Sequence, residues 1–321
     1  MEELYIYQVA RVRSRELNLL SRQDIDGLMA AKSFDECFRI LVDSGWGTGS
    51  EKTAEELFAA ENQKIWDFMG ELIHDLSPFD VLLYPTDYNN LKATIKCAAT
   101  GTVPHHVFKR GGTLDSEMMT AAVQNNDFST LPKEMGEAAQ KAYRCLLQTR
   151  DGQLCDMILD KACLEAIGKA GKASKDQLVR DYAELSIAIA DIKIAVRCEK
   201  TKKTLSFITE ALAKCDSLNL SSLALAATKS LDDVFAYLSN TNYAQAAEKL
   251  KESASAFEKW CDDRMMDLIK KQKSNPFTIG PLMAYVLARQ NEINTVRILL
   301  SGKLNGLDSS IIRERLRDMY V

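Results

Sequence analysis

The sequence predicts a nearly all-α protein, and three observations support this fold class. Apolar residues recur at helical spacing along most of the 321 residues, with little of the alternation that strands require. Only six prolines occur, and most fall at apparent breaks between these segments. Capping signatures precede several of the apolar stripes. Together these features leave little sequence for a sheet.

Three long helices follow from the apolar periodicity. One continuous stripe covers 244–273, a second covers 54–76, and a third runs from about 134 to 168. Gly152 weakens the third prediction in its middle, because glycine is a poor helix former.

Helix starts are marked by a hydroxyl residue followed three positions later by an acidic or amide residue. In a capping box the hydroxyl accepts a hydrogen bond from the third helical amide, and the later side chain bonds back to the cap. The pairs are Ser33/Glu36, Thr53/Glu56, Ser174/Gln177 and the near match Ser230/Asp233. Near the C-terminal end, Gly302 and Gly306 are predicted to end one helix, and Asp308 to lie near the cap of the last.

The chain repeats itself. SFDECFRILVDSGW (33–46) and SLDDVFAYLSNTNY (230–243) share Ser, Asp, Phe and Leu at the same offsets. Each is followed by a long helix, a short SPF or NPF turn, and a closing segment, DYNNLKATIK (87–96) or NEINTVRILL (291–300). A looser copy begins at DSEMMTAAVQNNDF (115–128) and closes at IAIADIKIAVR (187–197). The order of segments is the same in all three.

The repeat predicts three domain-sized modules. A period of about 100 residues exceeds the 20 to 50 residues of short solenoid repeats. We predict helical modules at 1–105, 106–205 and 206–321, arranged as a pseudo-threefold body that can have an axial hollow.

Composition and charge argue against several classes of function. The net charge of −4 and pI near 5.6 give no general attraction to nucleic acid or to an anionic bilayer. Eight scattered cysteines, without a C-x-x-C pair, indicate reduced packing residues of a cytoplasmic protein. No secretory signal and no membrane span is predicted.

Few segments of the sequence are candidates for catalysis or metal binding. DDRMMD (262–267) resembles the aspartate-rich helices of isoprenoid enzymes, since Asp263 and Asp267 lie one turn apart, but a second acidic cluster to share magnesium is missing. SGKLNG (301–306) lacks the full phosphate-loop frame. No catalytic residue, metal ligand, cofactor or small-molecule substrate is predicted. The isoprenoid-type enzyme and a generic helical scaffold stay open as alternatives.

Cationic clusters occur at KTKK (200–203), KKQK (270–273) and RERLR (313–317). They lack interleaved aromatic residues, which argues against binding of single-stranded nucleic acid. Solvated faces are the simplest interpretation, with an acidic partner or phospholipid head groups as the alternative.

The segment PLMAYVLARQNEINTVRILLSGKLNG (281–306) resembles the C subunit of archaeal and bacterial V/A-type rotary ATPases, the counterpart of the eukaryotic d subunit. The start YIYQVARVRSRE, the length and the threefold repeat are also similar to that family. The matching motif residues are Pro281, Ala284-Tyr285-Val286, Glu292-Ile293, Thr295-Val296-Arg297 and Gly302-Lys303-Leu304-Asn305-Gly306. Arg289-Gln290-Asn291 departs from the family pattern, in which more charge precedes the glutamate.

The resemblance implies a funnel-shaped helical protein without an active site. It would sit between the central shaft subunits of the soluble ATPase head and the membrane rotor ring subunit. Such a protein is peripheral to the membrane, on its cytoplasmic face, and turns with both partners so that ATP hydrolysis and proton or sodium transport stay coupled.

Repeated cations in the closing segments are the candidate partner interface. A socket built from equivalent module ends is expected to use Lys92, Lys193 and Arg297, together with Glu292. The alternative is that these residues form ion pairs within their own modules.

Overall fold

The structure is a computed structural model that describes residues 4–102, 108–109 and 111–321. Its described residues form sixteen α-helices, joined mostly by short loops. They are α1 (Ile6–Glu16), α2 (Arg22–Ala30), α3 (Phe34–Asp43), α4 (Ala54–Leu72), α5 (Asp80–Thr100), α6 (Ser116–Gln124), α7 (Lys133–Thr149), α8 (Gly152–Ala173), α9 (Gln177–Lys200), α10 (Leu205–Ala211), α11 (Leu220–Lys229), α12 (Leu231–Ser239), α13 (Ala244–Glu252), α14 (Ala254–Lys270), α15 (Gly280–Leu304) and α16 (Ser309–Arg315).

Short 3-10 turns at Ser77–Phe79, Phe128–Thr130 and Lys271–Ser274 complete the regular structure. No strand occurs among the described residues, so the predicted all-α class is confirmed. The prediction that most prolines fall at breaks between helices does not hold for Pro85, which lies inside the second turn of α5. A proline there removes one backbone hydrogen bond without ending the helix.

Most predicted helix starts are confirmed by their caps. Thr53 and Glu56 form a complete capping box at α4, and the Ser33 and Ser230 side chains accept hydrogen bonds from the third amides of α3 and α12. The predicted cap at Ser174 is wrong. Ser174 instead ends α8, and α9 begins at Gln177, where the carboxylate of Asp176 accepts a hydrogen bond from the Leu178 amide at 2.8 Å.

Two of the long predicted helices are interrupted. Ser253 has extended backbone angles and its hydroxyl caps α14, so the predicted helix over 244–273 is two helices, α13 and α14. The segment 134–168 breaks where Arg150 takes a left-handed conformation and Asp151 caps α8, which agrees with the weak point predicted at Gly152. Apolar spacing continues through both breaks, so periodicity alone does not reveal them.

Contacts divide the described chain into two compact units. The first unit contains residues 4–76, 176–178 and 245–321, and the second contains 77–175 and 179–244. This division follows spatial contacts, whereas the modules at 1–105, 106–205 and 206–321 follow sequence repetition. The three-module arrangement about a pseudo-threefold axis stays a prediction.

The core of the first unit is built around α15. This helix is apolar on nearly all sides, and it packs against α4, α14, α1 and α3. Phe68 of α4 meets Tyr285 of α15 edge to face, with ring centroids 5.7 Å apart. Residues 280–289 of α15 are all buried, so this part of the helix needs neighbours around its whole circumference, and elements from both sides of it in the chain supply them.

The core of the second unit lies between α5, α7 and α8. Leu91 and Ile95 of α5 are fully buried, as is Leu159 of α8. Helices α8 and α9 approach closely at Gly171, where an added Cβ would lie 2.3 Å from the Cβ of Ala183. Glycine is required there because a larger residue would push the two helices apart.

The cysteines behave as predicted. All eight are free, and six of them are buried. Burial raises the pKa of Cys163 to about 12 and that of Cys155 to about 11. These thiols therefore stay protonated at neutral pH and act as small packing residues.

Candidate partner interface

The candidate residues lie on three closing helices, α5, α9 and α15. Lys92 of α5 forms a salt bridge with Asp160 of α8, with a distance of 2.6 Å between Nζ and Oδ1. Its side chain is only 19% exposed. The next turn of α5 repeats this contact, since Lys96 pairs with Asp156 of the same helix α8. Lys92 therefore already has an acidic partner within the second unit.

Arg297 of α15 is more accessible than Lys92. Its guanidinium pairs with Glu55 of α4 at 3.2 Å and lies over the ring of Phe58 at 4.7 Å from the centroid. The Arg297 side chain is 46% exposed and that of Glu55 is 77% exposed. An exposed pair of this kind stabilises a protein by at most about 1 kcal/mol, so it is easily exchanged for another acidic partner. Lys193 lies half-buried on α9.

Glu292 of α15 is buried, with 1% of its surface exposed. One carboxylate oxygen accepts a hydrogen bond from the Leu20 amide, and the other binds the guanidinium of Arg289. Arg289 also binds Glu61 of α4 and lies over the ring of Trp46, 5.4 Å from its centroid. These residues form a buried ion cluster, Glu61–Arg289–Glu292.

The ion cluster also holds the loop that precedes α4. The second oxygen of Glu61 accepts hydrogen bonds from the Gly47 amide at 2.7 Å and from Lys64 at 2.6 Å. The sequence showed Arg289 only as a departure from the family pattern. The signal that could have identified its role is a charged residue, one turn from Glu292, at the end of the apolar run 280–288.

A similar arrangement occurs at α5. Asp87 lies five residues before Lys92, as Glu292 lies five before Arg297. Its buried carboxylate accepts hydrogen bonds from the Thr113 amide at 3.0 Å, the Thr113 hydroxyl at 2.6 Å and the Leu114 amide at 3.2 Å. Burial raises the pKa of Asp87, while these hydrogen bonds lower it.

Asn90 reinforces the contact at α5. Its side-chain amide exchanges two hydrogen bonds of 2.8 Å with the backbone of Lys109. Asn90 lies two residues before Lys92, as Asp191 lies two before Lys193 on α9.

Asp191 makes the corresponding contact at α9. Its carboxylate is fully buried and accepts a hydrogen bond from the Ala213 amide at 2.9 Å, with the Cys215 thiol 3.9 Å away. Burial raises the pKa of Asp191 to about 7. Sequence reasoning missed Asp191, although a single aspartate that interrupts the aliphatic run IAIADIKIAVR is a signal of a buried polar contact.

The three contacts share one plan, and we call them the closing-helix junctions. In each, a buried polar side chain of a closing helix binds the backbone of the segment that leads into the opening helices of a repeat. Asp87 and Asn90 hold the segment before α6, Asp191 holds the segment before α11, and Glu292 holds the segment before α2.

The acidic motif DDRMMD has a structural role on α14. Asp262 pairs with Arg317 at 2.6 Å, and Asp263 accepts a hydrogen bond from the Asp318 amide at 2.9 Å. Asp263 also lies 3.5 Å from Lys259. Among the described residues no group of three or more potential ligands could hold a metal ion. The carboxylates of Asp262 and Asp263 thus bind the C-terminal segment of the chain.

Helix α16 ends at Arg315, and residues 316–321 continue without regular structure, held by the α14 carboxylates. One prediction for this C-terminal region needs correction. Gly302 does not end α15 but lies inside it, where an added Cβ would be 2.6 Å from Ile312 Cγ1. Gly306 does make the turn, with a φ of +62°, and Asp308 is the cap residue of α16 as predicted.

Comparison with known proteins decides the family. Residues 8–315 match the sequence model of the ATP synthase (C/AC39) subunit family. The chain belongs to this family. The C/AC39 match therefore confirms the resemblance found in the closing motif, and it extends over nearly the whole chain.

Similar proteins agree with the C/AC39 assignment. The C subunit of the V-type sodium ATPase of Enterococcus hirae is 21% identical over 319 residues, which cover 96% of this chain and 97% of that protein. The C subunit of the V-type ATP synthase of Thermus thermophilus is 23% identical, with 98% and 99% covered. The C subunit of the A-type ATP synthase of Methanocaldococcus jannaschii is 23% identical, with 97% and 86% covered.

Membership in the C/AC39 family makes this chain a subunit of a rotary ATPase complex. In the part of the chain that the structure describes, no helix has both the length and the hydropathy to cross a bilayer.

Proposed function

We propose that this chain is the non-catalytic rotor adaptor in the central stalk of a V/A-type rotary ATPase. It links the shaft of the soluble ATPase head to the ion-translocating ring and transmits torque between them, so that ATP turnover is coupled to proton or sodium transport. The observation that carries this proposal is the set of closing-helix junctions, together with the family match over 8–315. A part that transmits torque must resist twisting, and buried side chains that bind backbone restrict how adjacent segments can move.

The predicted modules at 1–105, 106–205 and 206–321 remain part of this proposal, as a funnel about a pseudo-threefold axis. The order of the junctions supports them. The α5 and α9 junctions reach forward along the chain, to 109–114 and 213–215, whereas the α15 junction returns to Leu20. This return is what a closed set of three like modules requires.

Partners follow from the family. The proteins similar to this chain carry the names of V-type and A-type ATPase subunits. We propose the central shaft subunits as one partner and the membrane rotor ring subunit as the other, with the chain peripheral on the cytoplasmic face of the membrane.

The closing-helix cations are proposed to contact the shaft. Arg297 is more accessible than Lys92, since its side chain is 46% exposed and its ion pair with Glu55 lies at the surface. Lys92 and Lys193 complete the set, one from each other closing helix. Glu292 is enclosed by its own chain, so its proposed part is to position α15 through the ion cluster rather than to touch the shaft.

Co-purification with the shaft subunits tests the rotor role. The folded chain is expected to be recovered in a stable complex with them, and failure to bind at micromolar concentration would contradict the proposal. Helical content measured by circular dichroism establishes that the chain used is folded.

Charge reversal tests the contact residues separately. Replacing Lys92, Lys193 and Arg297 by glutamate is expected to weaken shaft binding about tenfold or more, because like charges would then face the acidic partner. The matched control reverses Lys141, Lys169 and Lys172, three exposed lysines of α7 and α8 that also have acidic partners. Equal shaft affinity for both triple variants would remove the nominated residues while leaving the rotor role intact.

A further inference from the structure

A cleft of about 440 Å³ lies between α14, α15 and α16 of the first unit. We call it the C-terminal cleft. Its apolar lining includes Leu307 and Ile312, and the close packing of Gly302 against Ile312 shapes this part of the wall. The volume lies within the range of about 300–1,000 Å³ that binding pockets occupy.

The lining of the C-terminal cleft is cationic. Arg297, Arg315 and Arg317 line it, against a single acidic lining residue, Glu258. Arg317 is neutralised by Asp262, 2.6 Å away, and is nearly buried. Among the described residues Arg297 has one acidic partner, the exposed Glu55, and its guanidinium also lies over the ring of Phe58. The exposed guanidinium of Arg315 has no ion pair or side-chain hydrogen bond with any residue that the structure describes. Positive charge is thus available at Arg315 and Arg297.

An exposed aliphatic side chain lines the cleft together with these arginines. Leu307 is 38% exposed, and Leu304 and Ile311, which are 68% and 38% exposed, lie within four residues of it in the chain. Isolated apolar side chains on a surface are ordinary, but one that lines a cleft with further exposed aliphatic residues close in the chain favours a site of interaction. An occupant that carries both aliphatic and anionic groups would therefore cover the aliphatic surface and pair with the arginines.

The charge and the concave shape of the C-terminal cleft favour a protein segment over a membrane surface as its occupant. Binding to anionic lipid usually takes a cluster of about four to eight lysines or arginines on a protruding surface. Here two of the three arginines have acidic partners and the surface is concave. A protein segment with carboxylates one helical turn from aliphatic residues matches both features, since residues three or four apart share a helix face.

We propose that the C-terminal cleft binds an acidic, aliphatic segment of a neighbouring subunit, with a carboxylate on Arg315 and Arg297 and an aliphatic side chain against Leu307 and Ile312. This inference rests on the proposed function for the presence of a neighbouring subunit. Nothing in it depends on which subunit supplies the segment.

Photocrosslinking in the assembled complex tests the proposal. The chain carries p-benzoylphenylalanine in place of Leu307, the complex is purified and irradiated, and the crosslinked peptide is identified by mass spectrometry. The expected adduct is a subunit segment that has at least two carboxylates within about one turn of an aliphatic residue. Adding Arg315→Gln is expected to lower the adduct yield about fivefold.

Arg313→Gln is the matched control for Arg315→Gln. Arg313 is also an exposed arginine of α16, but it pairs with Asp26 at 2.7 Å and does not line the cleft. Its replacement is expected to leave the adduct yield unchanged, and equal effects of the two variants would contradict the proposal.

Other outcomes also overturn the cleft assignment. These are a lipid adduct, a segment without carboxylates, or no adduct in a complex that has assembled normally. The last result would leave the rotor role standing, whereas a chain that never enters the complex would contradict the proposed function itself.

Discussion

The α15 junction of the first unit and the α9 junction of the second unit both bury a carboxylate, but they differ in what compensates its charge. Both place a buried carboxylate against a backbone amide, that of Leu20 for Glu292 and that of Ala213 for Asp191. At α15 the carboxylate shares Arg289 with a second carboxylate, Glu61. At α9 no residue that the structure describes forms an ion pair with the carboxylate, and burial raises its pKa to about 7.

This difference shows two ways to meet the cost of burying a carboxylate. A bound guanidinium compensates the buried charge, whereas an uncompensated carboxylate takes up a proton more readily. The α5 junction uses a third way, since Asp87 accepts three hydrogen bonds from Thr113 and Leu114. The α15 junction should therefore depend on its cation, and the α9 junction on pH.

Removing the cation is expected to have the largest effect. Arg289→Ala leaves the buried Glu292 without a cation and Glu61 with only the half-exposed Lys64, which should lower the free energy of unfolding by about 3–5 kcal/mol. Urea unfolding followed by circular dichroism measures the loss.

A triple variant sharpens this test. Replacing Arg289 by methionine and both glutamates by glutamine removes all three charges, so much of the lost stability should return. If Arg289→Ala lowers the free energy of unfolding by less than about 1 kcal/mol, the cluster behaves like an exposed pair and the comparison fails.

The α9 junction is expected to respond to pH. Asp191 has a pKa of about 7 in the folded protein, whereas the ordinary value for an aspartate is 3.8. Between these values the folded protein keeps a proton that the unfolded chain has released, so the contribution to stability falls as pH rises and is lost above the folded pKa. Asp191→Asn removes this titration while keeping an oxygen that can accept from the Ala213 amide.

The measurable quantity is the difference in free energy of unfolding between Asp191→Asn and the wild type. It should shift in favour of the asparagine variant by about 3 kcal/mol between pH 5 and pH 8. Lys161 lowers the pKa of Asp191 and Glu184 raises it, so both remain unchanged in this experiment. A difference that is independent of pH would show that Asp191 is ionised throughout.

A glycine substitution probes the α5 junction. An alanine Cβ at Gly112 would lie 2.0 Å from Oδ1 of Asp87, so Gly112→Ala is expected to lower the free energy of unfolding by about 1–3 kcal/mol. Gly27→Ala is the control, because nothing lies within 4 Å of its added Cβ inside α2 and alanine favours the helix. Thermal unfolding should move in opposite directions for the two variants, and a loss of stability in both would point to a general effect of the substitution.

The smallest effect on stability is expected at Arg297. Its pair with Glu55 is exposed, so Arg297→Ala should lower the free energy of unfolding by less than about 1 kcal/mol, apart from packing on Phe58. Its effect on affinity for the shaft subunits, measured by titration calorimetry, should be the larger of the two. A variant that unfolds readily but binds normally would assign Arg297 to the fold alone.

Much of the helical structure could be predicted from the sequence because it is specified locally. Thr53 with Glu56 and Ser230 with Asp233 fix helix starts through contacts three residues apart. The break at Ser253 escaped prediction because the apolar stripe continues across it, whereas the break at Arg150 was signalled only by the nearby Gly152.

The junctions depend on contacts that local patterns do not contain. Glu292 and Leu20 are far apart in the sequence, as are Arg289 and Glu61. Glu292 and Arg297 lie five residues apart in a repeated motif, and this spacing predicted that both would contact a partner at the surface. Its burial depends on the packing of α15 against α4 and α1, and only the folded chain shows this.

The first unit takes its helices from two distant stretches of sequence, with the second unit encoded between them. During synthesis α4 leaves the ribosome well before α15, and until then Glu61 and Phe68 have neither the arginine nor the tyrosine that they contact in the finished fold. The second unit, by contrast, is encoded almost without interruption and can condense while translation continues. The helices that are synthesised last thus complete the core that contains the helices synthesised first. Until then the N-terminal helices leave apolar surface exposed, which is the kind of surface that chaperones bind.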